Sequence, residues 1–103
     1  MEARYYTHAL WKVKSGKEAE FIEAWKGLGT AFANLPSKPS THGTLIQSLA
    51  DPTEFYSFGP WNSLEEMQEM RANPEAQAAF GRVTELCDRA TPGAYRVVAE
   101  IRL

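Results

Sequence analysis

The segment Phe55–Phe80 limits the possible folds more than any other part of the chain. Its first seven residues are rich in aromatic side chains and end at Trp61, a pattern that predicts a β-strand. Ser63 stands three residues before Glu66, a capping-box spacing that predicts the start of a helix reaching about Arg71. Asn73-Pro74 is typical of an N-cap and a first helical position, which indicates a second helix. The segment therefore predicts a strand followed by two short helices.

The rest of the chain supplies three more strands and one long helix. Strands are predicted over Tyr5–Val13, Gly43–Leu49 and, after a Thr-Pro-Gly break at 91–93, Ala94–Leu103. Ser15 and Glu18 form a second capping box before the long helix. Two of the three predicted helices carry apolar stripes at helical spacing: Phe21, Trp25, Leu28, Phe32 and Leu35 in the first, and Ala76, Phe80, Val83, Cys87 and Ala90 in the last. We attribute Gly27 and Gly29 to a kink or to close packing of helix on sheet.

The predicted order is β-α-β-β-α-α-β, an α+β fold with helices on one face of an antiparallel sheet. Its strands are apolar on both faces. The first strand carries Tyr5, Ala9, Trp11 and Val13 on one side and Tyr6, His8 and Leu10 on the other. One helix layer covers only one face, and the other would be too large an apolar patch for a monomer. We therefore expect a homodimer with packed sheets.

Composition narrows the class of protein. The length of 103 residues predicts one domain over 1–103. Eleven basic and thirteen acidic residues, spread evenly, form no basic face for nucleic acid. No apolar run approaches the roughly 20 residues of a membrane helix, and the N-terminus lacks a signal-peptide pattern. A single cysteine, Cys87, suits a reducing compartment. We expect a cytoplasmic protein with no nucleic-acid or membrane partner.

Two motifs carry a resemblance that covers nearly the whole chain: VKSGKEAEFIEAW at Val13–Trp25, and the strand ending in Trp61 with the two helices behind it. They resemble the antibiotic-biosynthesis monooxygenase family. That family forms a dimeric α+β barrel on a ferredoxin-like βαββαβ unit with a four-stranded antiparallel sheet. The resemblance implies the same homodimer and a small-molecule pocket between sheet and helices. Some members oxidise polycyclic phenols without a cofactor, others cleave haem, and others handle signalling molecules or have no assigned activity.

The resemblance also implies site residues. Trp61 matches the family pattern and offers a stacking face and an N–H donor. Ser57 stands on the same strand face, where the oxidising members tend to have asparagine, and Met67 stands where they have an aromatic hydroxyl. The candidate catalytic residues are Trp61, Ser57 and His8. The predicted substrate-binding residues are Trp61, Ser57, Phe55, Trp11, Met67, Arg71 and Phe80.

Several of these residues are open to a second interpretation. Arg71 either holds an anionic substrate or pairs with Glu75. Histidine titrates near neutral pH, so His8 would suit a general base if it faced a cavity. The alternative is a hydrogen-bonded histidine inside the barrel or at the dimer contact. His42, in the loop before strand two, lies either at a pocket rim or on the surface. Cys87 is interpreted as an inert core thiol.

Neither a metal nor a cofactor is expected. The two histidines and the cysteine lie far apart and lack ligand spacing. The haem-cleaving members use an asparagine, a tryptophan and a histidine at positions that fall near Ala9, Met70 and Phe80, and none of these matches.

Three functions remain open. The leading one is a cofactor-independent monooxygenase acting on a small aromatic or phenolic compound in an apolar pocket, which needs a dry cavity and donors for the substrate oxygens. The alternative is a non-catalytic protein of the same fold that binds a small molecule or serves a pathway partner, favoured by Ser57 and Met67. The third is an isomerase or lyase, with His8 or Glu100 as the base.

Overall fold

The computed structural model describes residues 4–35 and 42–103. The elements are β1 (Tyr5–Val13), α1 (Glu18–Ala33), β2 (Thr44–Gln47), β3 (Glu54–Trp61), α2 (Leu64–Ala72), α3 (Pro74–Thr84) and β4 (Cys87–Arg96). The four strands form one antiparallel sheet in the order β2-β3-β1-β4. This confirms the predicted element order and the ferredoxin-like α+β fold.

The core lies between the sheet and one helix layer. Strand alternation turns Trp11 of β1 and Phe55 of β3 toward the helices, where both are 1% exposed. Phe21 of α1 lies against both rings, with centroid distances of 5.6 Å to Trp11 and 4.8 Å to Phe55. On the other side, Phe80 of α3 lies 5.3 Å from Trp11. One of the two inner strands, β1, is therefore anchored to the first and last helices through one indole ring.

The helix starts confirm two of the three predicted caps. The Ser63 Oγ accepts a hydrogen bond from the Glu66 backbone N–H at 3.2 Å, and α2 begins as predicted. The predicted capping box at Ser15 is wrong, because α1 starts from Lys17 and no side chain caps it. Gly16, at φ +87°, turns the chain just before that start, which leaves Ser15 outside the first helical turn.

Asn73 forms the junction between α2 and α3. It is the last cap of α2 and the first cap of α3, where its Oδ1 accepts from the Ala76 backbone N–H at 3.0 Å. Pro74 occupies the first helical turn of α3, where its missing N–H costs nothing. The predicted restart of the chain at Asn73-Pro74 is confirmed.

The end of the chain differs from the prediction. The last helix stops at Thr84, and β4 covers Cys87–Arg96 rather than Ala94–Leu103. Cys87 pairs with Val13 and Ala90 pairs with Trp11 in the sheet, so both belong to a strand and not to the helical stripe. An edge strand tolerates the proline at position 92. Strand two is also shorter than predicted, at Thr44–Gln47 instead of Gly43–Leu49.

The close approach between chain segments occurs at Gly59, not in α1. A Cβ added at Gly27 or Gly29 would meet no atom within 4 Å, so the interpretation of these glycines as helix-to-sheet contacts is wrong. A Cβ at Gly59 would lie 3.0 Å from the His42 carbonyl oxygen and 3.3 Å from the Gly43 Cα. Gly59 therefore lets the chain pass over β3 as it enters β2.

The sheet face away from the helices carries Tyr6, His8 and Leu10 of β1, all half-buried. His8 contacts the rings of Tyr56 and Tyr95, at centroid distances of 5.5 and 5.6 Å. In the described part of the chain, no helix is both long and apolar enough to cross a membrane.

The Asp51 carboxylate organises the turn between β2 and β3. Its Oδ1 accepts from the Thr53 backbone N–H at 2.9 Å and from the Thr53 hydroxyl at 2.7 Å. The Lys12 ammonium forms an ion pair with the other carboxylate oxygen. These contacts, led by the hydrogen bond from Lys12, lower the pKa of Asp51 from 3.8 to about 2.

The Asp51 contacts predict a loss of stability in acid. A carboxyl whose pKa is lower in the folded state stabilises the fold above its ordinary pKa, and this contribution disappears as the pH falls through the folded value. We expect the urea midpoint of the wild-type chain to fall between pH 4 and pH 2 more steeply than that of Asp51→Asn. Lys12→Gln should also make the urea midpoint depend less steeply on pH than in the wild-type chain. Parallel curves for all three proteins would contradict this role.

Gly27, which has open space around it, and Gly59, which lies close to another backbone segment, predict opposite effects of substitution by alanine. Gly27→Ala should stabilise the protein by about 0.5–1 kcal/mol, because alanine is the better helix former and has open space there. Gly59→Ala should destabilise it by about 1–3 kcal/mol, because the added methyl overlaps the backbone at His42. Urea unfolding of both variants measures the difference. A neutral Gly59→Ala would show that this crossing yields easily.

Candidate functional site

A cavity of about 800 Å³ lies between the helix-facing side of the sheet and the three helices. Its walls are mainly apolar, and its apolar lining side chains include Trp11, Trp25, Leu28, Phe32, Trp61 and Phe80. The polar side chains among the described lining residues are those of Thr7, Lys26, His42, Ser57, Arg71 and Gln77. Such a cavity suits an apolar ligand that carries a few polar groups.

Two indole–hydroxyl pairs stand on the sheet side of this cavity. The Trp11 Nε1–H donates to the Ser57 Oγ at 2.8 Å, and the Trp61 Nε1–H donates to the Thr7 Oγ1 at 3.1 Å. An indole nitrogen can only donate, so in each pair the hydroxyl oxygen is the acceptor. The Trp61 N–H, predicted as a donor to substrate, is thus bonded within the protein.

The register between β1 and β3 creates both pairs. Ala9 lies opposite Ser57, so Trp11, two residues further along β1, is a diagonal neighbour of that serine. Tyr5 lies opposite Trp61, so Thr7 stands in the same diagonal relation to that tryptophan. All four side chains in the two pairs point toward the helices because they share strand parity. Trp61 is held further by the ring of Phe32, edge-on at 5.5 Å.

The structure brings most of the predicted substrate-binding residues together. The five that line the cavity are Trp11, Ser57, Trp61, Arg71 and Phe80. Phe55 lies outside the lining, because Phe21 covers its ring in the core. Met67 is also outside, 2% exposed, within a small core cluster that includes Leu35 and Trp61. The part that the five residues play in binding stays a prediction.

The two histidines have opposite positions. His8, a predicted catalytic candidate, lies on the sheet face away from the cavity, next to a recess that is also lined by Tyr6, Tyr95 and Arg96. Its place in β1 gives it the parity opposite to Trp11, so it cannot reach the helix side. His42 is exposed and is also a lining residue, so it lies on the surface at the rim of the cavity.

The cationic residues of the lining differ in their partners. Lys26 pairs with Glu23 on α1 at 3.1 Å. Arg71 was predicted either to hold a substrate or to pair with Glu75. The Glu75 carboxylate instead accepts from the Asn34 side-chain amide at 3.1 Å. Within the part of the chain that the structure describes, Arg71 has no carboxylate partner, which leaves its guanidinium available to an anionic group in the cavity.

Thr7, Trp25 and Phe32 also line the cavity but were not among the predicted site residues. Trp25 and Phe32 were assigned to the apolar stripe of α1, and periodicity does not separate a core position from a cavity wall. Thr7 shares the parity of Trp11, which places it on the helix side. Its contact with Trp61 depends on the strand register, which its spacing in the sequence does not reveal.

Cys87 offers little reactive chemistry, and no metal-binding group is present among the described residues. The Cys87 thiol is half-buried at the start of β4, and its Sγ lies 3.5 Å from the Val83 carbonyl oxygen. Burial, with the nearby Asp88 charge, raises the pKa of this thiol to about 11, so it stays protonated at neutral pH. Residues 4–35 and 42–103 contain no group of three histidine, cysteine or acidic side chains placed to hold a metal ion.

Known proteins with the same fold were found among solved structures. SnoaB, a cofactor-independent oxygenase from Streptomyces nogalater, is 16% identical with a TM-score of 0.74, over 100% of this chain and 98% of that chain. A protein from Shewanella oneidensis is 18% identical with a TM-score of 0.76, over 94% and 93%. A conserved protein from Methanosarcina mazei is 19% identical with a TM-score of 0.72, over 89% and 90%. At these identities the likeness concerns the fold.

No curated protein matches the sequence. The sequence model of the family described as "Antibiotic biosynthesis monooxygenase" matches residues 4–82, which include β1, the first two helices and most of the third. The match covers most of the chain and all but two of the described cavity-lining residues, Pro92 and Gly93. The chain belongs to the antibiotic biosynthesis monooxygenase family.

Proposed function

We propose that this protein is a cofactor-independent monooxygenase that acts on a small aromatic or phenolic compound in the cavity between sheet and helices. The observation that carries the proposal is the cavity itself, whose aromatic walls enclose two oriented hydroxyl groups. Membership of a monooxygenase family supports it. The same fold in SnoaB, a cofactor-independent oxygenase, is consistent with it.

The proposed reaction balances without a cofactor because the substrate supplies the electrons. Loss of a proton from an acidic C–H or phenol leaves a carbanion or phenolate that reduces molecular oxygen. One oxygen atom then replaces two hydrogens of a ring CH₂ as a carbonyl, and the other oxygen leaves with those hydrogens as water. The protein must exclude water and stabilise the anion. In the proposal, Trp25, Phe32 and Trp61 provide the dry walls, and the Ser57 hydroxyl faces the anionic oxygen.

The proton acceptor in this proposal is His42. Of the two histidines, it is the one in the cavity lining, and imidazole is the most frequent general base in enzymes. His8 and Glu100, the bases considered for an isomerase or lyase, have other positions. His8 is on the far side of the sheet, and Glu100 forms an ion pair with Arg4. The isomerase or lyase hypothesis therefore loses the two residues considered as its base.

A non-catalytic binding protein is the second candidate. Two observations favour it: the Trp61 N–H is already bonded to Thr7, and buried Met67 occupies the place of an aromatic hydroxyl in the oxidising members. Such a protein would use the same cavity and ligand class but would not consume oxygen. Turnover therefore separates the two candidates, whereas ligand binding does not.

The proposal includes a cytoplasmic homodimer in which the helix-free sheet faces pack together. The half-buried Tyr6, His8 and Leu10 and the exposed Tyr95 leave this face apolar and uncovered in the single chain. A second copy would remove it from water. Native mass spectrometry of protein purified without added ligand measures the subunit count and any retained small molecule together. A monomer at micromolar concentration would contradict the dimer.

Blocking the cavity should abolish oxygen consumption. Ala33 lines the cavity at the end of α1 and is exposed, so Ala33→Phe fills cavity space without disturbing the core. Ala19→Phe is the control, because Ala19 is exposed on the same helix and is not a lining residue. With anthrone as substrate, we expect Ala33→Phe to lower kcat/KM for oxygen uptake by about tenfold or more, a barrier increase of roughly 1.4 kcal/mol, and Ala19→Phe to retain wild-type activity.

The outcomes separate the candidate functions. Equal loss in both variants, or in neither, would contradict the cavity as the site of reaction. Tight binding of anthrone without oxygen uptake by the wild-type chain would favour the binding protein. Conversion that continues under argon would favour a reaction that does not use oxygen.

A further inference from the structure

We propose that the hydroxyls of Ser57 and Thr7 act as a pair of hydrogen-bond donors that select a flat ligand carrying two acceptor oxygens on opposite sides of a ring. The inference rests on the proposed ligand cavity but not on turnover. It assigns the polar recognition to the two hydroxyls rather than to the tryptophans, whose N–H groups are bonded within the protein.

The direction of each hydrogen bond leaves the hydroxyl proton free. A hydroxyl has one proton and two lone pairs, and the indole N–H occupies a lone pair in both cases. Among residues 4–35 and 42–103, no acceptor for the proton of Ser57 or Thr7 is found. A hydroxyl that accepts a hydrogen bond also becomes a stronger donor, because hydrogen bonds in a chain polarise one another. Both groups are therefore prepared to donate into the cavity.

The sheet sets the spacing of the two donors. Ser57 lies opposite Ala9, and Thr7 is two residues from Ala9 on the same face, so the two hydroxyl residues are diagonal neighbours across β1 and β3. Such neighbours have Cα atoms about 7–8 Å apart. The residues completing this patch are small: Ala9 beside Ser57, and Gly59 opposite Thr7. A flat ring can therefore lie over Ala9 and Gly59 with one oxygen directed at each hydroxyl.

Desolvation gives the pair its selectivity. Ser57 is 8% exposed, so a ligand that fills the cavity removes its hydroxyl from the remaining water. A ligand with matching oxygens accepts both protons, whereas an all-carbon ring of the same shape leaves them unpaired. An unpaired buried donor is costly, and sites that hydrogen-bond their ligand discriminate strongly against an analogue lacking the acceptor. Shape alone cannot produce this preference.

The test compares two soluble probes that differ in their oxygens. Anthraquinone-2-sulfonate and anthracene-2-sulfonate share the tricyclic plane and the anionic group, and only the first has two carbonyl oxygens across the central ring. Titration calorimetry measures both affinities. The wild-type chain should bind the quinone at least tenfold more tightly, since each net hydrogen bond contributes about 3- to 10-fold. The quinone is already oxidised, so binding is measured apart from turnover.

Variants then assign the preference to the hydroxyls. Ser57→Ala and Thr7→Val should each weaken quinone binding about 3- to 10-fold and leave anthracene-2-sulfonate binding within about twofold. Thr7→Ser keeps the hydroxyl and should keep the affinity. Thr44→Val makes the same threonine substitution on β2, away from the lining, and should change neither probe. If Ser57→Ala does not fold, the double variant Trp11→Phe with Ser57→Ala is used in its place, because it removes both partners of the buried hydrogen bond.

Two results would overturn the inference. One is a wild-type chain with no preference for the quinone. The other is a set of hydroxyl variants that weaken both probes equally, as a purely structural role would. The outcome is distinguishable from that of the proposed function. A quinone preference that depends on the hydroxyls, together with absent oxygen uptake, would support the paired donors and contradict the oxygenase. Oxygen uptake without the preference would do the reverse.

Discussion

Trp11 lies on β1, an inner strand, where its ring packs against Phe21 of α1 and Phe80 of α3 while its N–H donates to Ser57 on β3. A buried indole without a partner for that N–H would destabilise the fold by about 1–3 kcal/mol. The serine hydroxyl satisfies it from the neighbouring strand. The Ser57 hydroxyl, on the floor of an apolar cavity, is thus required by the packing of the core. In the proposed function, stability and ligand recognition share this one contact.

The same arrangement recurs at the second tryptophan of the β1–β3 pair. The ring of Trp61 packs against Phe32 of α1. Its N–H donates to the Thr7 hydroxyl, again across the β1–β3 pair. Each tryptophan donates its single N–H within the protein, and the hydroxyl proton of its partner stays available. In the proposed binding mode the cavity therefore presents small hydroxyl groups to a ligand, while the large rings form its walls. This division of roles follows from the donor-only chemistry of indole.

Much of the fold could be predicted from the sequence, because short-range chemistry determines it. The period-two pattern of β1 separated the helix side from the far side, and the caps at Ser63 and Asn73 located two helix starts. The boundary after Thr84 was missed because apolar residues keep a helix-like spacing into β4, up to Ala90. Ser15 failed as a cap because the positive φ of Gly16 turns the chain after it.

The candidate site was predictable only in part, for reasons that concern depth and register. Strand parity correctly placed Ser57 and Trp61 on one face of β3, and the register of the sheet adds Trp11 of β1 to that face. It could not show that Phe55 lies under Phe21, because core and cavity wall share that parity. The Thr7–Trp61 contact depends on which residues of two distant strands face each other, and pairing across more than fifty residues leaves no local pattern in the sequence.

The junction at Asn73 has a further consequence for the cavity. Because α2 ends and α3 begins on this one residue, no flexible linker separates the helix carrying Met70 and Arg71 from the helix carrying Phe80. A single pair of backbone angles, φ −74° and ψ 124°, sets the angle between these two walls. A substitution at Asn73 that changed these two angles would therefore move one wall of the cavity relative to the other while the sheet beneath stays in place.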